Sequence, residues 1–330
     1  RITFPFLFFV CLSSFFSGIL NSNNKFAAAA AAPIILNIIL IFSLIASFLL
    51  KLNFATNLSY GVTFAGIIQL IFLIIYTKKY YKPSFKLKIK ISSKLNFFFK
   101  KLVPSIFSSG VTQINILIGT IIASFETSAV SYLYYADRVY QINLAIAGIA
   151  VGTVSLPVLS KAIKNKNFTK VYNIQNKSIE LSLLLSIPAS LGLILASNQI
   201  VSALFGYGSF NEKDVDFTSQ ALEYFGYGIP AFALIKILSN FFFARDNTKT
   251  PFYISFFIVI LNLIISISFF KVIGFLIIPI ATSISTWIGV VIYIIALYQR
   301  KSVIAELNLV KNILKIILST IIMSLLLIYC

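Results

Sequence analysis

The chain contains no histidine. Histidine-based catalysis and histidine-ligated zinc are therefore excluded within it. Its two cysteines, Cys11 and Cys330, lie in or at apolar runs and offer no disulfide framework. There is no P-loop, no G-x-S-x-G motif and no carboxylate cluster with metal-ligand spacing. These absences argue against an enzyme and leave no cofactor or metal to expect. Acidic residues are scarce too, 9 against 27 basic, for a net charge of +18. Charged residues make up only 11% of the chain, where a soluble domain carries about 25%.

Apolar sequence takes their place. Hydrophobic residues reach 59% and the mean hydropathy is +0.95. They come in blocks near the roughly 20 residues that cross a bilayer as a helix. Ten such blocks are readable, at about 3–21, 31–50, 57–77, 102–124, 129–158, 178–205, 217–243, 251–271, 274–298 and 310–330. They are too long and continuous for barrel strands, so the fold class is all-α, a polytopic membrane protein. Every second loop is basic. Lys25, the lysines of 78–101, Lys161 to Lys177, Arg245 with Lys249, and Arg300 to Lys311 hold 20 of the 27 basic residues. By the positive-inside rule these loops are cytoplasmic, and the chain is a multi-pass membrane protein. The excess charge serves topology and anionic membrane lipid, not nucleic acid.

The stretch 78–101 splits the blocks three against seven. It predicts an end-piece of one lobe at 1–77, a basic cytoplasmic linker at 78–101 with an amphipathic piece at 84–95, a six-helix lobe at 102–298, and a loop and extra helix at 299–330. Arg1 abuts an apolar run and Cys330 ends another, so the chain reads as a fragment of a larger bundle. An internal repeat appears at an offset of 225 residues. It aligns Pro5 with Pro230, Ser14 with Ser239, Asn37 with Asn262 and Ser43 with Ser268, with eight identities over 39 positions. Six crossings separate the copies, which predicts two parallel halves.

Ionisable residues inside spans are costly and usually face a cavity. In YYADRVYQ, Arg138 lies about nine residues into its span, roughly 14 Å deep. Tyr134 and Gln141 share its helical face, and Gln141 also shares a face with Asp137. Only four of the 27 basic residues are arginine. An arginine kept this deep points to the fixed donor fork of guanidinium, suited to phosphate or carboxylate. The structural alternative is an Asp137–Arg138 pair tying two helices. Lys236 is a second deep cation, six residues after Pro230, with Asn240 one turn on. Gln113 and Asn115 on the preceding span are further candidate ligands, or simple helix–helix hydrogen bonds. Glu180 and Glu223 lie near span ends and read as structural.

SYLYYADRVYQINLAIAGIAVGTVSLPVLSKA at 131–162 resembles the signature span of the MurJ/MviN lipid II flippase family. RITFPFLFF with GILNSNNKFAAAAAAPIILN, and FGYGSFNEKDV with ALEYFGYGIPAFALIKILSNFFFARDNTKTPF, resemble its fourth span and its ninth-to-eleventh span region. The resemblance runs from Arg1 to about Leu297. It implies a fourteen-helix, two-lobe fold of the multidrug, oligosaccharidyl-lipid and polysaccharide exporter superfamily, with helices four to thirteen present. It implies alternating access that moves lipid II, the undecaprenyl-diphosphate-linked peptidoglycan precursor, to the outer leaflet. Arg138 then matches the family's cavity arginine and Asp137 its neighbour, while Gln141 replaces a residue acidic in some members. Some members bind sodium through an acidic residue where this chain has Gly119. Asn262 matches a further ligand, so the coupling cation, or the membrane potential in its place, stays open.

Three other readings stay open at this point. One is a flippase for another polyprenyl-linked glycan such as O-antigen. A drug or ion antiporter of the same fold would rely on acidic cavity residues rather than Arg138 and Lys236. A non-transporting cell-wall scaffold would tolerate loss of Arg138.

Overall fold

The computed structural model describes residues 1–23, 25–81, 113, 115–300 and 307–329. The expected linker from residue 82 on, its amphipathic piece at 84–95 and most of the span expected at 102–124 lie outside the described residues. The described residues are helical, with no strand among them. The chain divides into two compact units, Arg1–Ile91 and Ser92–Cys330.

The first unit holds α1 (Phe4–Ser22), α2 (Phe26–Leu49) and α3 (Phe54–Thr77). Pro5 stands in the first turn of α1, where its missing N–H has no helical partner to lose. Asn53 caps α3, its side chain accepting from the Thr56 N–H at 3.2 Å. Asn57 Nδ2 then ties α3 to α2, donating to Ser43 O at 2.8 Å and Ser47 Oγ at 2.7 Å. In lipid, helices gain little from apolar burial against one another, so close approach needs small residues. Gly66 supplies it here: a Cβ at this position would lie 2.8 Å from the Phe6 ring. The unit's buried apolar cluster is small, built on Leu20, Ala32 and Leu73.

The second unit begins with a helical stretch at 115–123, α4. Then comes α5 (Ala129–Leu144), which runs through a π-helical turn, Ala145–Ala150, into α6 (Val151–Lys164). It is followed by α7 (Phe168–Leu195), α8 (Ser197–Phe205), α9 (Glu212–Gly226), α10 (Ile229–Phe243), α11 (Lys249–Ile273), α12 (Ile277–Gln299) and α13 (Leu307–Tyr329). Two boundaries differ from expectation. The span expected at 178–205 begins at Phe168 and ends at Leu195, with α8 a separate short helix. Asn167 sets the earlier start by capping the Lys170 N–H at 3.0 Å. This carries Glu180 into the interior of α7, where it accepts from Asn312 Nδ2 of α13 at 3.0 Å. The span expected at 217–243 is two helices bent by 42°.

Among the described residues seven stretches are long and apolar enough to cross a membrane, or eight if that bent pair forms one span. One of the seven, Lys249–Gln299, is 51 residues long. Asn262 bonds Thr282, Tyr293 bonds Pro251, and Arg300 bonds Thr250. Partners that converge in this way make α11 and α12 an antiparallel hairpin, as the two blocks 251–271 and 274–298 require.

The repeat is visible in the helices. At the offset of 225, the first residue of α1 falls on the first residue of α10, and the starts of α2 and α3 fall two residues from those of α11 and α12. Pro230, like Pro5, lies in the first turn of its helix.

Candidate functional site

The span α5–α6 and the bent pair α9–α10 run side by side in the same sense, as charge alternation demands. Tyr132 stacks on Phe217 with centroids 5.5 Å apart, and Tyr140 on Phe225 at 5.3 Å. Further along, Gly148 faces Ala233 and Gly152 faces Ile237. All four pairs share one register, 85 residues apart. At Gly148 an added Cβ would stand 3.1 Å from the Ala233 Cα, so the two backbones nearly touch. The π-helical turn coincides with this approach; such turns recur at functional sites.

Arg138 sits on the exposed face of α5. Its guanidinium lies 4.6 Å from the centre of the Tyr134 ring, four residues earlier. Asp137 is half-buried and its carboxylate accepts from Gln141 Nε2, four residues later. Both contacts stay within one helix. Among the described residues neither side chain ties α5 to a second helix. Among the described residues Arg138 makes no hydrogen bond or ion pair, so its edge donors are uncommitted. The Tyr134 ring is thus a cation–π partner of the guanidinium.

Lys236 is also exposed, on α10. The constant register sets it level with Val151, roughly 20 Å along the helix axis from Arg138. The two cations thus stand at different depths. Asn240, one turn beyond, is spent on packing: its Nδ2 donates to Gly152 O at 2.8 Å. Gln113 is exposed, and Asn115 at the start of α4 is half-buried. The buried Ile122 of that helix packs in one cluster with Ile277 and Ile278 of α12.

The break between α9 and α10 is a feature that sequence reading did not find. Carbonyls freed at a break in lipid need donors. Ser190 Oγ of α7 donates to Gly226 O at 2.7 Å, Ser283 Oγ of α12 to Tyr224 O at 2.7 Å, and Trp287 Nε1 to Tyr227 O at 2.9 Å. A Cβ on Gly228 would meet Ser283 Oγ at 2.7 Å, so the break needs glycine there. The signal was present in GYGIP at 226–230. The cavity at the break, about 560 Å³, is walled by Ile194, Pro230, Ile284 and Trp287 among others. Ser190, Ser283 and Trp287 in its wall are already engaged with backbone carbonyls, and no cationic side chain lines it.

Asn262 closes a neutral network. It donates to Thr282 Oγ1 at 3.1 Å and accepts from Ser266 Oγ at 3.0 Å. Gly119 faces Ile278. Among the described residues no three carboxylate, histidine or cysteine side chains gather as a metal site.

The family model described as "Lipid II flippase MurJ" matches residues 1–330. The chain belongs to the MurJ lipid II flippase family. A probable lipid II flippase MurJ of Rhizobium tropici is 35% identical over 99% of this chain and 62% of its own length. One of Rickettsia prowazekii is 38% identical over 87% of this chain and 56% of its own. The chain thus spans about three fifths of the length of the curated relatives it matches. A solved lipid II flippase MurJ in an inward closed conformation superposes with a TM-score of 0.83 at 30% identity, over 99% of this chain and 66% of that one. An inward-facing multidrug resistance transporter of the MATE family superposes at 0.77 with 13% identity, over 91% of this chain and 70% of that one, and shares the fold. The MurJ match brings 131–162 and 205–252 into the one family that their residues resembled.

Proposed function

We propose that the protein moves lipid II from the cytoplasmic to the outer leaflet of the bacterial inner membrane by alternating access. The observation that carries this reading is Arg138, a guanidinium within a span, exposed and without a hydrogen bond or ion pair among the described residues. A diphosphate crossing the hydrocarbon core needs a partner that stays charged there, and a planar fork of donors can hold two of its oxygens at once. Tyr134 steadies that fork from its face. Gln141 engages the Asp137 carboxylate by a hydrogen bond within the same helix. Lys236, nearer the cytoplasmic end, meets the headgroup earlier on its path. Gln113 and Asn115 supply neutral hydrogen bonds for sugar or peptide.

Water admitted from one side at a time limits the desolvation penalty on the empty cationic site. The membrane potential contributes about 2.3 kcal/mol per charge per 100 mV, enough to return a net-cationic cavity inward after release. The neutral Asn262–Ser266–Thr282 network favours the potential over a bound cation as the driving term.

The test uses the full-length gene in a bacterium depleted of its own lipid II flippase. Restored growth, together with lipid II newly accessible at the outer surface, is expected. Full membrane abundance with lipid II still confined to the inner leaflet would contradict the proposal, and recovery of a different polyprenyl-linked glycan would redirect it.

A further inference from the structure

Where α6 ends and α7 begins, a cavity of about 500 Å³ opens between Lys161, Asn165, Asn167 and Lys170 on one side and Pro157 and Val158 on the other. Its lysines have no acidic neighbour nearby in sequence. Between Asp137 and Glu180 there is no Asp or Glu, yet lysines stand at 161, 164, 166, 170 and 177. The first carboxylate beyond them, Glu180, is engaged by Asn312. The last turn of α6 carries Lys161 and Lys164, and the first turn of α7 carries no acid. Asn167 Oδ1 accepts from the Lys170 N–H at 3.0 Å, which leaves its Nδ2 to donate.

The cavity also has two faces. Pro157 and Val158 belong to the exposed apolar surface of α6, which continues one turn up at Val154. The lysines and asparagines belong to the end of α6, the connection and the first turn of α7, on the cytoplasmic side. A ligand that fits must be anionic at one end and apolar at the other, and must sit at the boundary of water and hydrocarbon.

We propose that this cavity holds the phosphate of an anionic phospholipid of the cytoplasmic leaflet. Lys161 and Lys170 are its charge partners, the Asn165 and Asn167 amides its donors, and Pro157 and Val158 seat the start of an acyl chain. This is independent of the transported substrate. Lys164 and Lys166 have the same charge and the same loop but do not wall the cavity, so they provide the control.

The test measures phosphatidylglycerol retained by the full-length protein in native mass spectrometry, against phosphatidylcholine. Retention falls about tenfold in Lys161→Gln/Lys170→Gln and little in Lys164→Gln/Lys166→Gln. Lys161→Arg/Lys170→Arg, which keeps the charge, retains the lipid and guards against a folding defect. Equal loss in both glutamine pairs would overturn the site in favour of diffuse attraction. Displacement of phosphatidylglycerol by millimolar inorganic phosphate would overturn the lipid assignment and leave a free-phosphate site.

Discussion

In the first unit the Thr63 hydroxyl donates to Ile2 O at 2.7 Å; in the second the Trp287 indole donates to Tyr227 O at 2.9 Å. The two carbonyls are 225 residues apart, and each lies just before the proline that opens α1 or α10. Asn57 and Thr282, again 225 apart, both link the third helix of their triplet to the second. The two triplets share a layout built with different side chains. The position that is Cys11 in α1 is Lys236 in α10, and Phe15 becomes Asn240. The second triplet is also the more deeply packed, with Ala231, Ile237 and Phe241 fully buried against α6 and α7. The repeat therefore preserves the joints of the helices, while Lys236 has no charged counterpart in the first copy.

The sharpest way to break this comparison is at the backbone approach found in the second unit alone. Gly148→Val meets the Ala233 Cα and is expected to cost about 3 kcal/mol. Gly66→Val meets the Phe6 ring, which can swing aside, and should cost about 1 kcal/mol. Thermal unfolding midpoints in detergent rank them; equal midpoints would remove the claim that the second copy is packed more closely.

The proline joints come next. Trp287→Phe and Thr63→Val each strip the donor from an equivalent carbonyl and should destabilise by about 1 kcal/mol. Adding Ser283→Ala to Trp287→Phe should cost about another 1 kcal/mol, because a second carbonyl at the break loses its donor. Protease sensitivity confined to residues near 227 would locate the effect, and sensitivity elsewhere would argue against a clamped break. The smallest effect belongs to the shared cross-link. Asn57→Leu and Thr282→Val should each cost about 0.6 kcal/mol, the usual size of a hydrogen bond between helices in lipid. A much larger loss for Thr282→Val would show that its network does more than join helices.

Much of this was legible before any coordinates. Apolar block lengths and alternating lysines gave the helical class and the antiparallel hairpin of α11 and α12, because both follow from hydrocarbon thickness and charge. The spacing of Tyr134, Asp137, Arg138 and Gln141 gave the two contacts within α5, because helical neighbours at four residues share a face. The start of α7 was missed because Asn167 caps it within a lysine-rich stretch that reads as loop. The break at Tyr227–Gly228 was missed because its donors, Ser190, Ser283 and Trp287, come from helices distant in sequence. The depth of Lys236 relative to Arg138 needed the register between two spans, which hydropathy alone does not carry.

The central claim is that the fork of Arg138, more than its charge, carries the anion. The direct measurement is transport of lipid II by full-length protein carrying Arg138, Arg138→Lys or Arg138→Ala, at matched membrane abundance. The account predicts strong transport only with arginine, with lysine losing about tenfold or more and alanine losing nearly all. Undiminished transport by Arg138→Lys, or by Arg138→Ala, would contradict it.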